Sequence, residues 1–438
     1  MRFLTDALAR RAPFYYGWVV TAVVGLAIFP TVAYRPAIIG LLYPSMQETF
    51  GWSRSSLGGA VFLGSALVIV AAPLAGRLAD RYGAWLVLNA ATVLMGLCLI
   101  GLGAVSKLWM FYLLFGVGYA TFAGVNRVAI TSAMAQWFVR RRGTAMGFVT
   151  LMLGLGFIVI PLLAERVLDG SGWSAAWYVL GFLMLAVALP GGVLLYRNRP
   201  ADVGQAPDGR TPSDTVAVAV ADQGAATAAS EVQWTAREAA RTRTLWMLVA
   251  SISLLEMSRN GIGIHMIAHM TEQGMSPTFA AASFSIAGVT MVPMSVSLGL
   301  FVDAVGARAA YGVAALSVLI MGVLVIFTSS NAMAIPIGIT MGIGAGGVDM
   351  IMRIIFANYF GRASAGTVMG IVTPFIVVSL GLGALISGVM YDIQGSYVPV
   401  FWSWIAVEAL AIVILLFVPP PRARASTADG ELAAQPAA

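Results

Sequence analysis

Cysteine is nearly missing from this chain, and charge is scarce. The one cysteine, Cys98, can make no intrachain disulfide and no thiolate metal site, and its apolar surroundings in the sequence read as packing. His265 and His269 form an H-x-x-x-H spacing, but no acid or cysteine completes a metal set, so they read as surface or rim residues. No G-x-S-x-G, H-E-x-x-H or Walker phosphate loop occurs, so the sequence offers no enzyme chemistry and implies no cofactor. With 25 Lys and Arg and 19 Asp and Glu in 438 residues, 10% of the chain is charged. That excludes a soluble enzyme of this length, a disordered chain and a coiled coil.

What remains is apolar: 59% of residues are hydrophobic, and the mean hydropathy is +0.88. Twelve runs long enough to cross a bilayer begin near Trp18, Leu57, Trp85, Leu108, Thr144, Ala175, Leu245, Phe279, Ala309, Ala332, Ala365 and Val398. Only helices or closed barrels satisfy the backbone in lipid, and runs this long without strict alternation are helices. The expected fold class is therefore an all-α polytopic membrane protein, with twelve transmembrane helices in two pseudo-symmetric six-helix bundles.

An even number of crossings puts both termini on one side. With the N-terminus in the cytoplasm, that side collects Arg2, Arg10, Arg11, Arg77, Arg81, Arg140, Arg141, Arg142, Arg308, Arg362, Arg422, Arg424 and six arginines of a central loop. The other side has Arg54, Lys107 and Arg166. This bias orients the chain with both termini cytoplasmic, and it turns the basic pI of about 9.6 into a statement about topology rather than about nucleic acid. No cleavable signal peptide is read at the start, because the first apolar run is too long and has no small-residue cleavage site. A monomer in a bacterial inner membrane is expected. Residues 197–243 change to Asp, Gly, Pro, Thr, Ser and Ala, the composition of a flexible cytoplasmic linker. It separates one bundle at 1–196 from another at 244–420, and a cytoplasmic tail follows at 421–438.

The bundles are copies. Shifting the sequence by 223 residues aligns TAMGFVT at 144–150 with TVMGIVT at 367–373. The same offset brings Gly76, Asp80 and Gly83 onto Gly299, Asp303 and Gly306, and Gly124 and Val125 onto Gly347 and Val348. Polar and glycine identities in one register across several helices mark a duplication. Two similar halves joined by a loose loop suit a carrier that rocks about a central site.

Seven ionisable residues fall well inside the runs: Arg35, Arg127, Glu256, Arg259, Asp349, Arg353 and Glu408. Insertion of an arginine or aspartate at a helix centre costs roughly 2.5–3.5 kcal/mol, so such residues mark pathways. The arginines occupy the first, fourth, seventh and tenth helices, every third one, which points to a single cavity lined by the leading helix of each three-helix unit. Arg127 and Asp349 each lie 11 residues before an aromatic at the cytoplasmic helix end, Phe138 and Phe360, and so roughly 16 Å deep. Asp349 aligns with Asn126 in the repeat, which adds Asn126 to the candidate site. Glu256 with Arg259, three apart, and Asp349 with Arg353, four apart, share helical faces and also suit internal salt bridges. Four arginines against two cavity acids leave positive charge for an anion, and the planar guanidinium fork favours a carboxylate. Arg127 and Arg259 are the first candidates to bind it, and Arg35 and Arg353 serve uptake or release. Asp349 or Glu256 can carry protons, since either carboxyl responds to whether its arginine holds substrate. Glu408 stands alone on the twelfth helix. Tyr34, Tyr119 and Phe122 lie near the arginines and are weak candidates to shape the pocket.

GRLADRYG at 76–83, with its degenerate copy GLFVDAVGAR at 299–308, resembles the signature loop of the major facilitator superfamily. The resemblance implies a cytoplasmic gate made of Gly76, Arg77, Asp80, Arg81, Gly83 and Asp303. Leu300 and Ala304 replace the basic positions in the second copy, which implies a weaker gate there. FYYGWVV at 14–20, FGWSRSSL at 50–57 and WFVRRRGTAMG at 137–147 resemble the monocarboxylate transporter and oxalate/formate antiporter branch, over most of the first half and more thinly in the second. That branch implies proton-coupled carboxylate binding by an acid and an arginine on helix eight. Here 279–301 carries no charge, the antiporters' helix-eleven lysine is missing, and the nearest couple is Asp349 with Arg353. The sequence thus reads as a carrier of a small organic carboxylate, proton-coupled or exchanging. An exporter of larger amphiphilic compounds and a nontransporting membrane sensor are the alternatives.

Overall fold

The computed structural model describes residues 15–138, 141–206, 236–360 and 365–419. The side chains of Asp80, Arg127, Arg142, Asp303, Asp349 and Arg353 lie outside the described residues, as do Arg140, Arg362, the arginines of both termini and 207–235 of the expected linker. The described ends of that linker carry a short 3-10 turn, Pro200–Val203, and a short helix, Ala236–Ala240.

Among the described residues, twelve passes follow the expected order. The first is Gly17–Ile28, a 3-10 turn Phe29–Tyr34, and Pro36–Phe50; the second is Arg54–Tyr82 and the third Ala84–Gly103. The fourth runs through Leu108–Ala120, a π-helical turn Thr121–Asn126, and Arg127–Trp137. Arg142–Leu194 holds the fifth and sixth, divided at Gly172. The seventh to twelfth are Arg243–Glu272, Pro277–Val305, Ala307–Ile326, Ala334–Phe360, Ala365–Gln394 and Tyr397–Leu416.

Two spans are less regular than the apolar runs suggest. Arg35 precedes Pro36, and a residue before proline is pushed out of the helical region. Its backbone is extended, with φ −84° and ψ 158°, so the first span breaks there. The fourth span widens into the π turn just before Arg127, a kind of distortion common at functional sites.

The duplication is visible in the corners. Gly51 and Gly274, Gly83 and Gly306, and Gly172 and Gly395 are each 223 residues apart, and all six have positive φ, between +66° and +92°. Residues with a Cβ avoid this region, so glycine sets these turns. Ser53 and Ser276, one further pair at the same offset, both cap the helix that follows by accepting a backbone N–H, from Ser56 and Phe279.

Helices two and five of the first half meet helices eleven and eight of the second. A methyl on Gly58 would collide with the Ala384 carbonyl, and one on Gly288 with the Gly154 carbonyl, so backbones touch. Ser285 Oγ donates to the Ile158 carbonyl at 2.9 Å. Hydrogen bonds and glycine contacts join the halves toward the face opposite the termini, called here the distal face.

Candidate functional site

Beneath this closure lies a small cavity, partly continuous with solvent. Arg35 and Pro36 reach it from the first span and Phe157 from the fifth. Arg259 and Asn260 come from the seventh, and Phe284, Met291, Met321 and Met341 supply much of an apolar wall from the eighth, ninth and tenth. One arginine from each half therefore faces one space. The break at Arg35–Pro36 gives Arg35 its place, because the chain leaves the helix at that residue.

The two guanidiniums are held differently. Arg35 Cζ stands 5.0 Å from the centre of the Phe122 ring and 5.8 Å from that of Phe157, so aromatic faces support the cation. Arg259 pairs with Glu256 on its own helix, its Nε donating at 3.1 Å and its Nη2 bonding the same oxygen. Glu256 is buried behind Arg259 and is not a lining residue. Asn260 lines the cavity, with its Nδ2 on the Leu380 carbonyl at 2.6 Å.

Several readings change. Asn126, the last residue of the π turn, is buried and is not among the residues lining this cavity; its Oδ1 has no hydrogen-bond partner among the described residues. Tyr34 is a packing residue, its hydroxyl donating to the Met95 carbonyl at 2.8 Å, whereas Phe122 does reach Arg35. His265 and His269 are buried rather than on a surface or rim, since Tyr397 and Phe401 of the twelfth span cover them; Tyr397 Oη lies 3.3 Å from His265 Nδ1.

The expected gate residues stand at the other end. Arg77 and Arg81 are exposed, and the Arg81 guanidinium lies 5.2 Å from the Tyr82 ring centre. A methyl on Gly76 would meet nothing within 4 Å, so Gly76 serves no close approach in this state. Gly83 is a turn residue whose neighbour Trp85 donates its backbone N–H to Asn198 Oδ1 at 2.9 Å.

The distal closure is built from groups that sequence reasoning left aside. Asp392, at the end of the eleventh span, accepts the backbone N–H groups of Arg54 and Ser55 at 2.9 Å each, and so caps the second span from across the molecule. Arg54 reaches Glu272 of the seventh span at 3.7 Å and lies over the rings of Tyr391 and Tyr397. On the other flank Thr278 Oγ1 donates to Glu165 at 2.7 Å. Their only hint in the sequence is the scarcity of charge on that side. Asp392→Ala is expected to weaken this cap by about 0.5–2 kcal/mol. Hydrogen–deuterium exchange at the start of the second span should rise; unchanged protection there would assign the closure to packing alone.

Each of the two duplicated halves thus brings one cation to a central cavity. The Major Facilitator Superfamily model matches residues 18–375 and 248–438. The chain belongs to that superfamily. It is 27% identical over 203 residues to monocarboxylate transporter 6 of Homo sapiens, covering 45% of this chain and 38% of that protein. It is 28% identical over 174 residues to an aspyridones efflux protein of Emericella nidulans, covering 39% and 35%. The chain thus spans less than half the length of these curated relatives. A crystal structure of the nucleoside transporter NupG shares the fold, with a TM-score of 0.67 at 14% identity over 91% of this chain and 99% of that one. This superfamily member is a multi-pass membrane protein with the fold of its family.

Proposed function

We propose that this transporter carries a small organic carboxylate with an apolar body, by alternating access and together with protons. The observation that carries the proposal is the pairing of Arg35 and Arg259, one from each half, over a cavity otherwise walled by Phe157, Phe284 and methionines. A carboxylate takes a guanidinium fork in two parallel hydrogen bonds, and the apolar wall holds the rest of the molecule. The relatives named monocarboxylate transporters support this substrate class. Arg127, Arg353, Asp349 and Asn126 complete the proposed route through the membrane, with Asp349 and Glu256 serving proton coupling. The loop residues Gly76, Arg77, Asp80, Arg81, Gly83 and Asp303 close the terminal face in the opposite state. By the distribution of arginines that face is cytoplasmic, in a bacterial inner membrane, and the working unit is a monomer of two bundles joined by the 197–243 linker.

Purified protein in liposomes is expected to accumulate radiolabelled benzoate more strongly than lactate when the outside is acidified, with each acid competing against the other. A second reading, export of larger amphiphilic compounds, is favoured by the apolar wall and by the efflux relative. Dye extrusion without carboxylate uptake in the same liposomes would replace the first reading with the second.

A further inference from the structure

Glu408 belongs to no part of the cavity, yet it is an acid with 0% exposure on the twelfth span. Its Oε2 lies 3.3 Å from Ser258 Oγ of the seventh span, and its Oε1 has no hydrogen-bond partner among the described residues. The same Ser258 Oγ lies 3.1 Å from the Trp404 carbonyl. A serine hydroxyl has one hydrogen to give. If it goes to the carbonyl, which can only accept, the contact with Glu408 is a hydrogen bond only when Glu408 brings a hydrogen of its own. An ionised carboxylate here would have at most one neutral donor to replace its water shell, a costly state inside a membrane protein.

We propose that Glu408 is a proton-binding site of the carrier, loaded and unloaded in step with Arg259. Ser258, which touches Glu408, is the neighbour of Arg259 in the chain, and Arg259 in turn is paired with Glu256 on the same helix. The other titratable groups on the surrounding helices lie toward the helix ends: His265, His269 and Glu272 on the seventh span, Tyr391 and Asp392 on the eleventh and Tyr397 on the twelfth are distal, while Arg243 on the seventh and Arg308 and Tyr311 on the ninth are terminal. Glu408 therefore senses chiefly the Glu256–Arg259 pair. While a substrate carboxylate draws Arg259 toward the cavity, Glu408 keeps its proton. When the anion leaves, the guanidinium charge is shared back across the helix and the proton affinity of Glu408 falls, so above its substrate-free midpoint Glu408 releases the proton to the aqueous face then open. Anion and proton leave together, which makes the carrier a symporter. This step rests on the carboxylate reading of the cavity; the presence of the proton on Glu408 does not.

The two are separable by experiment. Purified carrier without substrate is treated with dicyclohexylcarbodiimide, which modifies protonated buried carboxyls, and the modified residue is located by mass spectrometry between about pH 5 and 9. Modification of Glu408 that falls as pH rises, with a midpoint moved by Ser258→Ala, is the expected result. In a weakly buffered solution above the substrate-free midpoint, adding benzoate should draw about one proton fewer per Glu408→Gln carrier than per wild-type carrier, by simple site stoichiometry. In liposomes Glu408→Gln should exchange benzoate but lose at least about tenfold of its pH-driven accumulation. Glu408 unmodified at every pH, or wild-type accumulation by Glu408→Gln, overturns the proposal. Modification of Glu408 in a wild-type carrier that takes up no carboxylate would instead remove the substrate reading and leave the proton site standing.

Discussion

Replacing Arg259 by alanine is expected to reduce pH-driven benzoate uptake by at least about a hundredfold. Removing one partner of a buried ion pair costs roughly 3–5 kcal/mol, because the other charge is left without compensation, and Glu256 is that other charge. Two effects are then mixed: lost substrate binding and lost stability. The double variant Glu256→Gln with Arg259→Gln separates them, since two neutral amides at this spacing leave no orphaned charge. It should regain most of the thermal stability lost in Arg259→Ala and remain inactive. Arg259→Lys keeps the charge but not the planar fork, and is expected to recover only part of the uptake. Full activity in the double variant would take the carboxylate off Arg259 and leave Arg35, held between Phe122 and Phe157, as its partner.

The second large effect is expected at Gly58, where the second span touches the backbone of the eleventh. Gly58→Ala and Gly58→Val add atoms where the Ala384 carbonyl already sits. Overpacking of this kind costs roughly 1–3 kcal/mol, enough to move the balance between distally closed and distally open states by about five- to a hundredfold or more. Cys98 is the sole native thiol, so Cys98→Ala gives a clean background for a cysteine at the cavity residue Ala287. Its reaction with an impermeant maleimide from the distal side should quicken in the order glycine, alanine, valine. Gly312→Ala, where a methyl meets nothing within 4 Å, should not change it. Equal rates across the Gly58 series would mean that closure does not depend on this contact.

Much of this architecture is written plainly in the sequence. Apolar length gives the spans, and the shared register of Gly83 with Gly306 gives the duplication, because a corner needing positive φ admits little else. Arg35 and Arg259 are legible as cavity residues, since buried guanidiniums are too costly to be idle. The break that sets Arg35 is also legible, in the Arg-Pro pair, though an apolar run hides it. Other features depend on which helices meet. Nothing near Asp392 in the chain announces that it caps a helix that begins 338 residues earlier, at Arg54. His265 and His269 lose their apparent surface only when the twelfth span covers them. Asn126 follows the repeat, and nothing in the sequence announces the π turn that ends on it.

The six left-handed corners carry a mechanical implication. A corner this short keeps the ends of the helices it joins together, so neighbouring helices tilt as one plate. The alternation between faces is then a see-saw of two stiff slabs sharing one blueprint. Damage to a corner in one slab is expected to imbalance the stroke in the direction opposite to damage at its twin.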